Sequence, residues 1–199
     1  MNNTVEVLEL TKKFGPKAAV EQVSFSIASG EIFGLLGPNG SGKTTLIRML
    51  CTILKPTSGR AYVAGRDISR ETKAIRNLIG VVPQALTADL DLTAWENLDI
   101  YGQFFAVPRK QRWEKAEYLL ELVGLTHRAH DLVATYSGGM RRRLEIARGL
   151  MHQPQVLFLD EPTLGLDPQS RHVIWEILGK MRQQWTLTIL LTTHYMEEA

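Results

Sequence analysis

Cysteine is nearly absent: Cys51 is the one thiol in 199 residues. That excludes an internal disulfide and any metal site built on a cysteine cluster, and it fits a reducing compartment. Long apolar runs are missing too. No stretch reaches the roughly eighteen apolar residues that a membrane span needs, so work at a membrane requires another chain to cross it. Charge of one sign is also lacking. Lys and Arg number 23 against 21 Asp and Glu, a formal net of +2. This balance gives no basis for a strongly basic nucleic-acid-binding surface or for an acidic disordered tail. The start, Met1-Asn2-Asn3-Thr4-Val5-Glu6, has neither a basic segment nor an apolar core, so no secretory signal is expected. The length allows one domain, or one domain with a subdomain, around a sizeable core. Cys51 reads as a small buried residue.

The pattern along the chain is β-rich, then helical, then mixed. Strands are predicted at 5–10, 23–27 and 32–36. Leu46, Ile47, Met49, Leu50, Ile53 and Leu54 share a helical face that Lys55-Pro56 should stop. Strands follow at 60–64 and 79–82. Thr93 is an N-cap with Glu96 as its capping-box partner. Trp113, Ala116, Leu119, Leu120 and Val123 keep helical spacing before Gly124. Ser137 caps a further helix through Leu144, Ala147, Leu150 and Met151. A strand at 156–159 precedes Asp167-Pro168, an N-cap with proline at the first helical position. Val173, Ile174, Ile177 and Met181 line that helix. The last strand is predicted at 186–192, with a new helix opening at Tyr195.

Between the third strand and its helix lies Gly37-Pro38-Asn39-Gly40-Ser41-Gly42-Lys43-Thr44, followed by Thr45. The run fits G-x-x-x-x-G-K-[ST], and it stands where that motif requires, after a strand and before a helix. Glycines let backbone N–H groups turn inward around phosphate oxygens, and the helix N-terminus adds its positive dipole end. Lys43 is expected to reach the β- and γ-phosphates, and the Thr44 hydroxyl to ligate Mg²⁺.

The apolar run 156–159 ends in Asp160-Glu161-Pro162. Four apolar residues in a row mark a strand buried on both faces. An acid at its carboxyl end stands at the rim where α/β sheets bind ligands. Asp160 is expected in the Mg²⁺ shell with Thr44, and Glu161 as general base toward an attacking water.

Tyr136-Ser137-Gly138-Gly139-Met140 resembles the signature motif of the ATP-binding cassette (ABC) ATPases. It follows the helical segment and precedes Asp160, as that family requires. Gln84 looks like the glutamine-loop residue, Gly165-Leu166-Asp167-Pro168 like the D-loop, and His194 like the switch histidine. Phe14 sits where the family places an aromatic against adenine. The likeness covers nearly the whole chain. Together with Thr163-Leu164 and the arginines after Met140, it is similar to the daunorubicin-resistance-type branch, which serves exporters. Two positions depart: Tyr136 stands for leucine, and Met140 for glutamine or glutamate. Tyr136 can fill the same apolar space; Met140 cannot hydrogen-bond a ribose.

The resemblance implies a phosphate-loop NTPase of the α/β class, with a mixed sheet core, N-terminal antiparallel strands and an α-helical subdomain. The catalytic core would comprise 1–84 and 154–199, and the helical subdomain 85–153. It implies ATP and Mg²⁺ as ligands, with the metal on Thr44, Gln84 and Asp160. Phe14, Gly37, Pro38, Asn39, Gly40, Ser41, Gly42, Lys43, Thr44 and Thr45 would bind ATP. Glu161, His194, Gln84 and Lys43 would serve catalysis. Ser137, Gly138, Gly139 and Met140 would face the ATP of a second cassette in a head-to-tail homodimer, across which Asp167 communicates. A transmembrane permease is the further partner, docked around 86–101, and no nucleic acid is expected. The location implied is the cytoplasmic face of the membrane, held peripherally. Family members run on past the switch histidine, so a chain ending at Ala199 is expected to be a shortened form.

Plainer readings compete. Phe14 could be a core aromatic, Gln84 a loop amide and His194 a satisfied strand-end histidine. Arg141-Arg142-Arg143 reads as a solvated helix face. The runner-up function is a soluble ABC ATPase acting on nucleic acid or the ribosome. Such proteins usually carry tandem cassettes or long insertions, whereas Gln84 and Ser137 leave room only for a compact helical segment. A phosphate-loop kinase or GTPase leaves the signature motif and His194 unexplained.

Overall fold

The alternating N-terminal residues fold as a long hairpin, β1 (Asn3–Phe14) against β2 (Lys17–Ala28). The structure, a computed structural model, describes residues 3–198. The start at Met1 and Asn2 and the ending at Ala199 lie outside the described residues. Both hairpin strands run beyond the predicted 5–10 and 23–27, because bulges interrupt the simple alternation. Glu9 and Gln22 sit at these irregularities with φ of 48° each. Their amides donate to Ser24 Oγ at 2.8 Å and Thr11 Oγ1 at 2.9 Å, so no backbone donor is stranded. Strand β4 (Ser58–Val63) and the two-residue β5 (Arg66–Asp67) complete an antiparallel sheet in the order β2-β1-β4-β5.

A second sheet is wholly parallel: β3 (Ile32–Leu36), β8 (Thr188–Thr193), β7 (Val156–Asp160) and β6 (Ile79–Val82), in that order. All five residues of β7 are buried, as its unbroken apolar run predicts. Val156 and Phe158 point to one core with Leu190, shared with the antiparallel sheet and α1 (Lys43–Leu50). Leu157 and Leu159 point to a second core with Ile189 and Leu191. That core is filled from α3 (Ala94–Phe104), α4 (Arg109–Leu122), α5 (Gly138–Gly149) and α6 (Pro168–Gln184). Each fully buried Leu or Phe contributes roughly 1.5–3 kcal/mol. Close approach fixes where α5 sits: a Cβ on Gly80 of β6 would stand 2.2 Å from the Gly149 carbonyl oxygen.

Several local readings need correction. Helix α1 ends at Leu50, four residues before the apolar stripe does. Thr52 turns left-handed at φ 61°, and the amides of Thr52 and Ile53 return to the carbonyls of Met49 and Arg48. This is a Schellman ending, which closes the helix without proline. Helix α2 (Thr72–Arg76) and β5 had no readable signal, being five and two residues long. Trp113 is 43% exposed, lying against Arg109 outside the buried face of α4. After Tyr195 the described residues form one 3-10 turn, Met196–Glu198. The caps behave as read: Thr93 forms the full capping box with Glu96, and Asp167 caps α6 ahead of Pro168.

The register of the parallel sheet decides what meets at its edge. Leu36 pairs with Thr193, Asp160 with Thr192 and Val82 with Leu159. The carboxyl ends of all four strands therefore fall together. Each is followed by one of the residues picked out for chemistry: Gly37, His194, Glu161 and Gln84.

Candidate functional site

Gly37–Thr44 wraps from β3 into α1, and Gly42 is the helix N-cap with φ 96°. A Cβ there would stand 2.2 Å from the Ala19 carbonyl oxygen of β2. The position is thus reserved for glycine by both its dihedral and its neighbour. Ser41 N–H donates to Pro38 O at 3.2 Å, tightening the loop. The Lys43 ammonium donates to the carbonyls of Gly37 at 2.7 Å and Pro38 at 3.1 Å. It also stands 3.5 Å from Glu161 Oε1, with both side chains under 10% exposed. A cation is therefore drawn over its own loop and set opposite a carboxylate.

Asp160 and Glu161 are 5% and 7% exposed. Thr44 Oγ1 donates to Asp160 Oδ1 at 3.2 Å, and Thr192 Oγ1 donates to the same oxygen at 2.8 Å. Glu161 has φ 48°, a left-handed conformation that costs a non-glycine residue of order 1–3 kcal/mol. Its amide is held by Thr192 Oγ1 at 2.9 Å. Its Oε2 lies 3.4 Å from His194 Nδ1, close but without hydrogen-bond geometry. Glu161 is therefore flanked by Lys43 and His194. Thr44 and Asp160 offer paired hard oxygens, the donors Mg²⁺ prefers. Among the described residues no cluster of three or more His, Cys, Asp and Glu is available to cage a metal. A metal here would share its coordination with phosphate oxygens.

Phe14, Asn39, Gly40, Gly42, Lys43, Thr44, Thr45, Gln84 and Glu161 line one cleft of about 390 Å³, together with residues 17–19. Phe14 is 53% exposed on the hairpin, so it is not the core aromatic of the plainer reading. A larger cleft of about 580 Å³ lies elsewhere, among Lys115, Tyr118, His152 and Trp185, and none of the candidate catalytic residues lines it.

The signature residues do not line the phosphate cleft. Ser137 caps α5 through its Oγ, which accepts from Met140 N–H at 3.2 Å. Ser137 and Gly138 are exposed, whereas the Met140 side chain lies against the helical core. Gly139 packs so close to Ser170 that an added Cβ would stand 2.6 Å from Ser170 Oγ. Asp167 is exposed, and hydrogen bonds from Ser170 hold its carboxyl below the usual carboxylate value. Tyr136 is 4% exposed in the helical core, and its hydroxyl donates to Arg128 O at 2.5 Å. It fills the apolar space as expected and adds a polar anchor.

The arginine run is not a solvated face. Arg142 is 3% exposed and donates to three carbonyls: Pro83 at 2.6 Å, Gln84 at 3.1 Å and Glu161 at 2.9 Å. Burial draws its guanidinium below its ordinary pKa, opposed by the charges of Glu145 and Asp160. Arg141 donates to Ala134 O, and Arg143 to Val123 O. Sequence reasoning missed Thr192, Arg142 and Glu145. Helical spacing carried one faint signal: Gly139, Arg142, Glu145, Ile146 and Gly149 all lie on buried faces of α5. A threonine inside the apolar run of β8 was another.

A family model described as "ABC transporter" matches residues 20–164. The Nod factor export ATP-binding protein I of Paraburkholderia xenovorans (strain LB400) is 47% identical over 195 residues, covering 98% of this chain and 64% of that protein. The linearmycin resistance ATP-binding protein LnrL of Bacillus subtilis (strain 168) is 44% identical over 189 residues, 95% of this chain and 60% of its own length. The chain thus spans about three fifths of these relatives. Among solved structures, the ADP conformation of MJ1267, an ATP-binding cassette of an ABC transporter, superposes with a TM-score of 0.88 at 28% identity. It covers 98% of this chain and 83% of that one. The dimeric post-hydrolysis state of the cassette MJ0796, bound to ADP and Pi, gives 0.85 at 30% identity, over 97% and 89%. With a sheet edge that gathers phosphate loop, acids, glutamine and histidine, the chain belongs to the ABC transporter family and has the fold of its ATP-binding cassettes.

Proposed function

We propose that this protein binds and hydrolyses ATP to power a membrane transporter, and that the transporter is an exporter. The observation that carries the reading is the meeting of Lys43, Thr44, Asp160, Glu161 and His194 at one sheet edge. Lys43 and the loop amides of Gly37–Thr44 hold the phosphates, and Phe14 borders the adenine side of the cleft. Thr44 and Asp160, together with Gln84, would hold Mg²⁺, which when bound would offset phosphate charge. Glu161 accepts the proton of the attacking water, and His194 contacts the γ-phosphate and holds the geometry of water and Glu161. The export direction is supported by relatives whose names speak of Nod factor export and linearmycin resistance.

The signature residues do not line their own phosphate cleft, which favours a head-to-tail homodimer. In it Ser137, Gly138 and Gly139, at the start of α5, meet the partner's nucleotide as an anion site. Met140 contributes its backbone there, since its side chain lies inward. Asp167 links the two sites. The core, 1–84 and 154–199, and the helical unit, 85–153, then move relative to each other as ATP is bound and spent. A membrane subunit docks on the helical unit near 86–101. Leu86, Leu90 and Ile100 are 43–52% exposed there, with Phe104 83% exposed just beyond. A peripheral place on the cytoplasmic face of the membrane goes with this reading and is supported by relatives named as export and resistance ATP-binding proteins; no helix among the described residues is long and apolar enough to cross a membrane.

The test is to isolate the native full-length protein in mild detergent and identify what accompanies it. A polytopic membrane protein in stoichiometric amount is expected. Ribosomal proteins or DNA with no membrane protein would contradict the transporter reading. Lys43→Ala is expected to abolish ATP binding in calorimetry, because the phosphates lose their main side-chain cation. Retained tight binding would contradict the role given to Lys43.

A further inference from the structure

We infer that Arg142 is a positioning residue for hydrolysis: its guanidinium fixes the backbone on which Glu161 and Gln84 ride and so ties the signature helix to the reacting centre. The inference rests on the ATPase reading above and adds a residue to it. Glu161 holds a left-handed backbone, φ 48°, that a residue with a Cβ adopts only when its surroundings impose it. Two groups grip it from opposite sides. Thr192 Oγ1 takes its amide at 2.9 Å, and Arg142 Nη2 gives to its carbonyl at 2.9 Å. The same guanidinium gives to Pro83 O at 2.6 Å and Gln84 O at 3.1 Å. One rigid fork thus joins the loop after β6 to the loop after β7.

Glu145, one turn further along α5, completes the grip with opposite chemistry. Its carboxylate accepts from the amides of Thr87 and Ala88, the latter at 2.6 Å, and from Arg148 Nη1 at 3.0 Å. The segment 83–88 is therefore clasped at one end by a cation on carbonyls and at the other by an anion on amides. Both charges belong to the helix that Ser137 caps. A shift of α5 on engaging a partner's nucleotide is passed directly to the Gln84 and Glu161 backbones. Lysine cannot replace this link, because a single ammonium lacks the planar fork that spans three acceptors.

The experiment compares wild type, Arg142→Lys, Arg142→Gln and Glu161→Gln in the full-length protein. Both Arg142 variants are expected to lower kcat by about 10–100-fold, the scale of a small misplacement at a reacting centre. Their affinity for MgATP should stay within about 3-fold of wild type, since the phosphate loop keeps its own contacts. Adding Arg142→Gln to Glu161→Gln should cost less than about 2-fold more, because the two act through one carboxylate. Hydrogen exchange read without turnover should show faster exchange at 83–88 and 161–164 in Arg142→Lys. Should Arg142→Gln fail to fold, Arg142→Lys carries the test, since it keeps the charge. Full kcat in a folded Arg142→Lys, or unchanged exchange in both segments, would overturn the inference. A wild type that releases no phosphate would instead sink the ATPase reading, and the exchange measurement would still decide the role of Arg142.

Discussion

At the scale of single residues, Gly42 has no tolerable substitute. Its φ of 96° and the Ala19 oxygen 2.2 Å from any added Cβ leave no room for even a methyl group. Gly42→Ala should destabilise the fold by more than about 2 kcal/mol in chemical denaturation, combining left-handed strain with a backbone clash. A loss below about 0.5 kcal/mol would show that the loop relaxes freely. Residues of this kind were legible in sequence, because the motif encodes its own geometry: glycines, lysine and threonine at fixed spacing need no tertiary context. Thr192 and Arg142 were not legible. A threonine in an apolar strand and an arginine among three look ordinary until the register sets Thr192 beside Asp160 and helix packing sets Arg142 beneath Glu161. Their meaning lies in partners 32 and 19 residues away in the chain.

At the scale of elements, caps were read well and terminations less so. Thr93 and Glu96 satisfy two helix-start donors locally, so the four-residue pattern alone predicts α3. Thr93→Ala should cost about 1 kcal/mol of stability in urea titration. The end of α1 depends on Thr52 adopting a left-handed turn, which no residue type in that stretch signals. Asp167 gives an acid-side prediction. Hydrogen bonds from Ser170 depress its carboxyl, so its support for α6 is present above the unfolded value of 3.8 and is lost as pH falls through the lower folded value. Asp167→Asn should flatten the acid limb of the stability profile below about pH 4. An unchanged limb would place the acid sensitivity in other carboxylates.

At the scale of the whole molecule, two cores share one parallel sheet, and His152 bears on how they respond to pH. It stacks on Phe105 at 3.8 Å and meets Ile79 O through Nε2 at 2.8 Å, joining the end of α3 to the start of β6. Burial pulls its pKa below 6.5, the hydrogen bond to Ile79 only partly opposing this. The unfolded chain therefore takes up a proton before the folded one does. Stability is full above about pH 6.5 and falls as the pH drops from there toward the folded value. The urea midpoint should decline as the pH falls below about 6.5, and His152→Phe should flatten that decline. A slope that survives the substitution would assign the effect to another group. The order of strands and helices was legible from their periods, and the overall architecture through the motifs that resemble the ABC ATPases. The short α2 and β5 were not, since five and two residues carry no period.

Glu161, set between Lys43 and His194, is the proposed base for ATP hydrolysis. Phosphate release from MgATP by full-length wild type and Glu161→Gln tests it most directly. The variant is expected to bind ATP still, to lose roughly 10²–10⁴-fold in turnover and to accumulate as an ATP-dependent dimer on a sizing column. Equal turnover in the two proteins would contradict it.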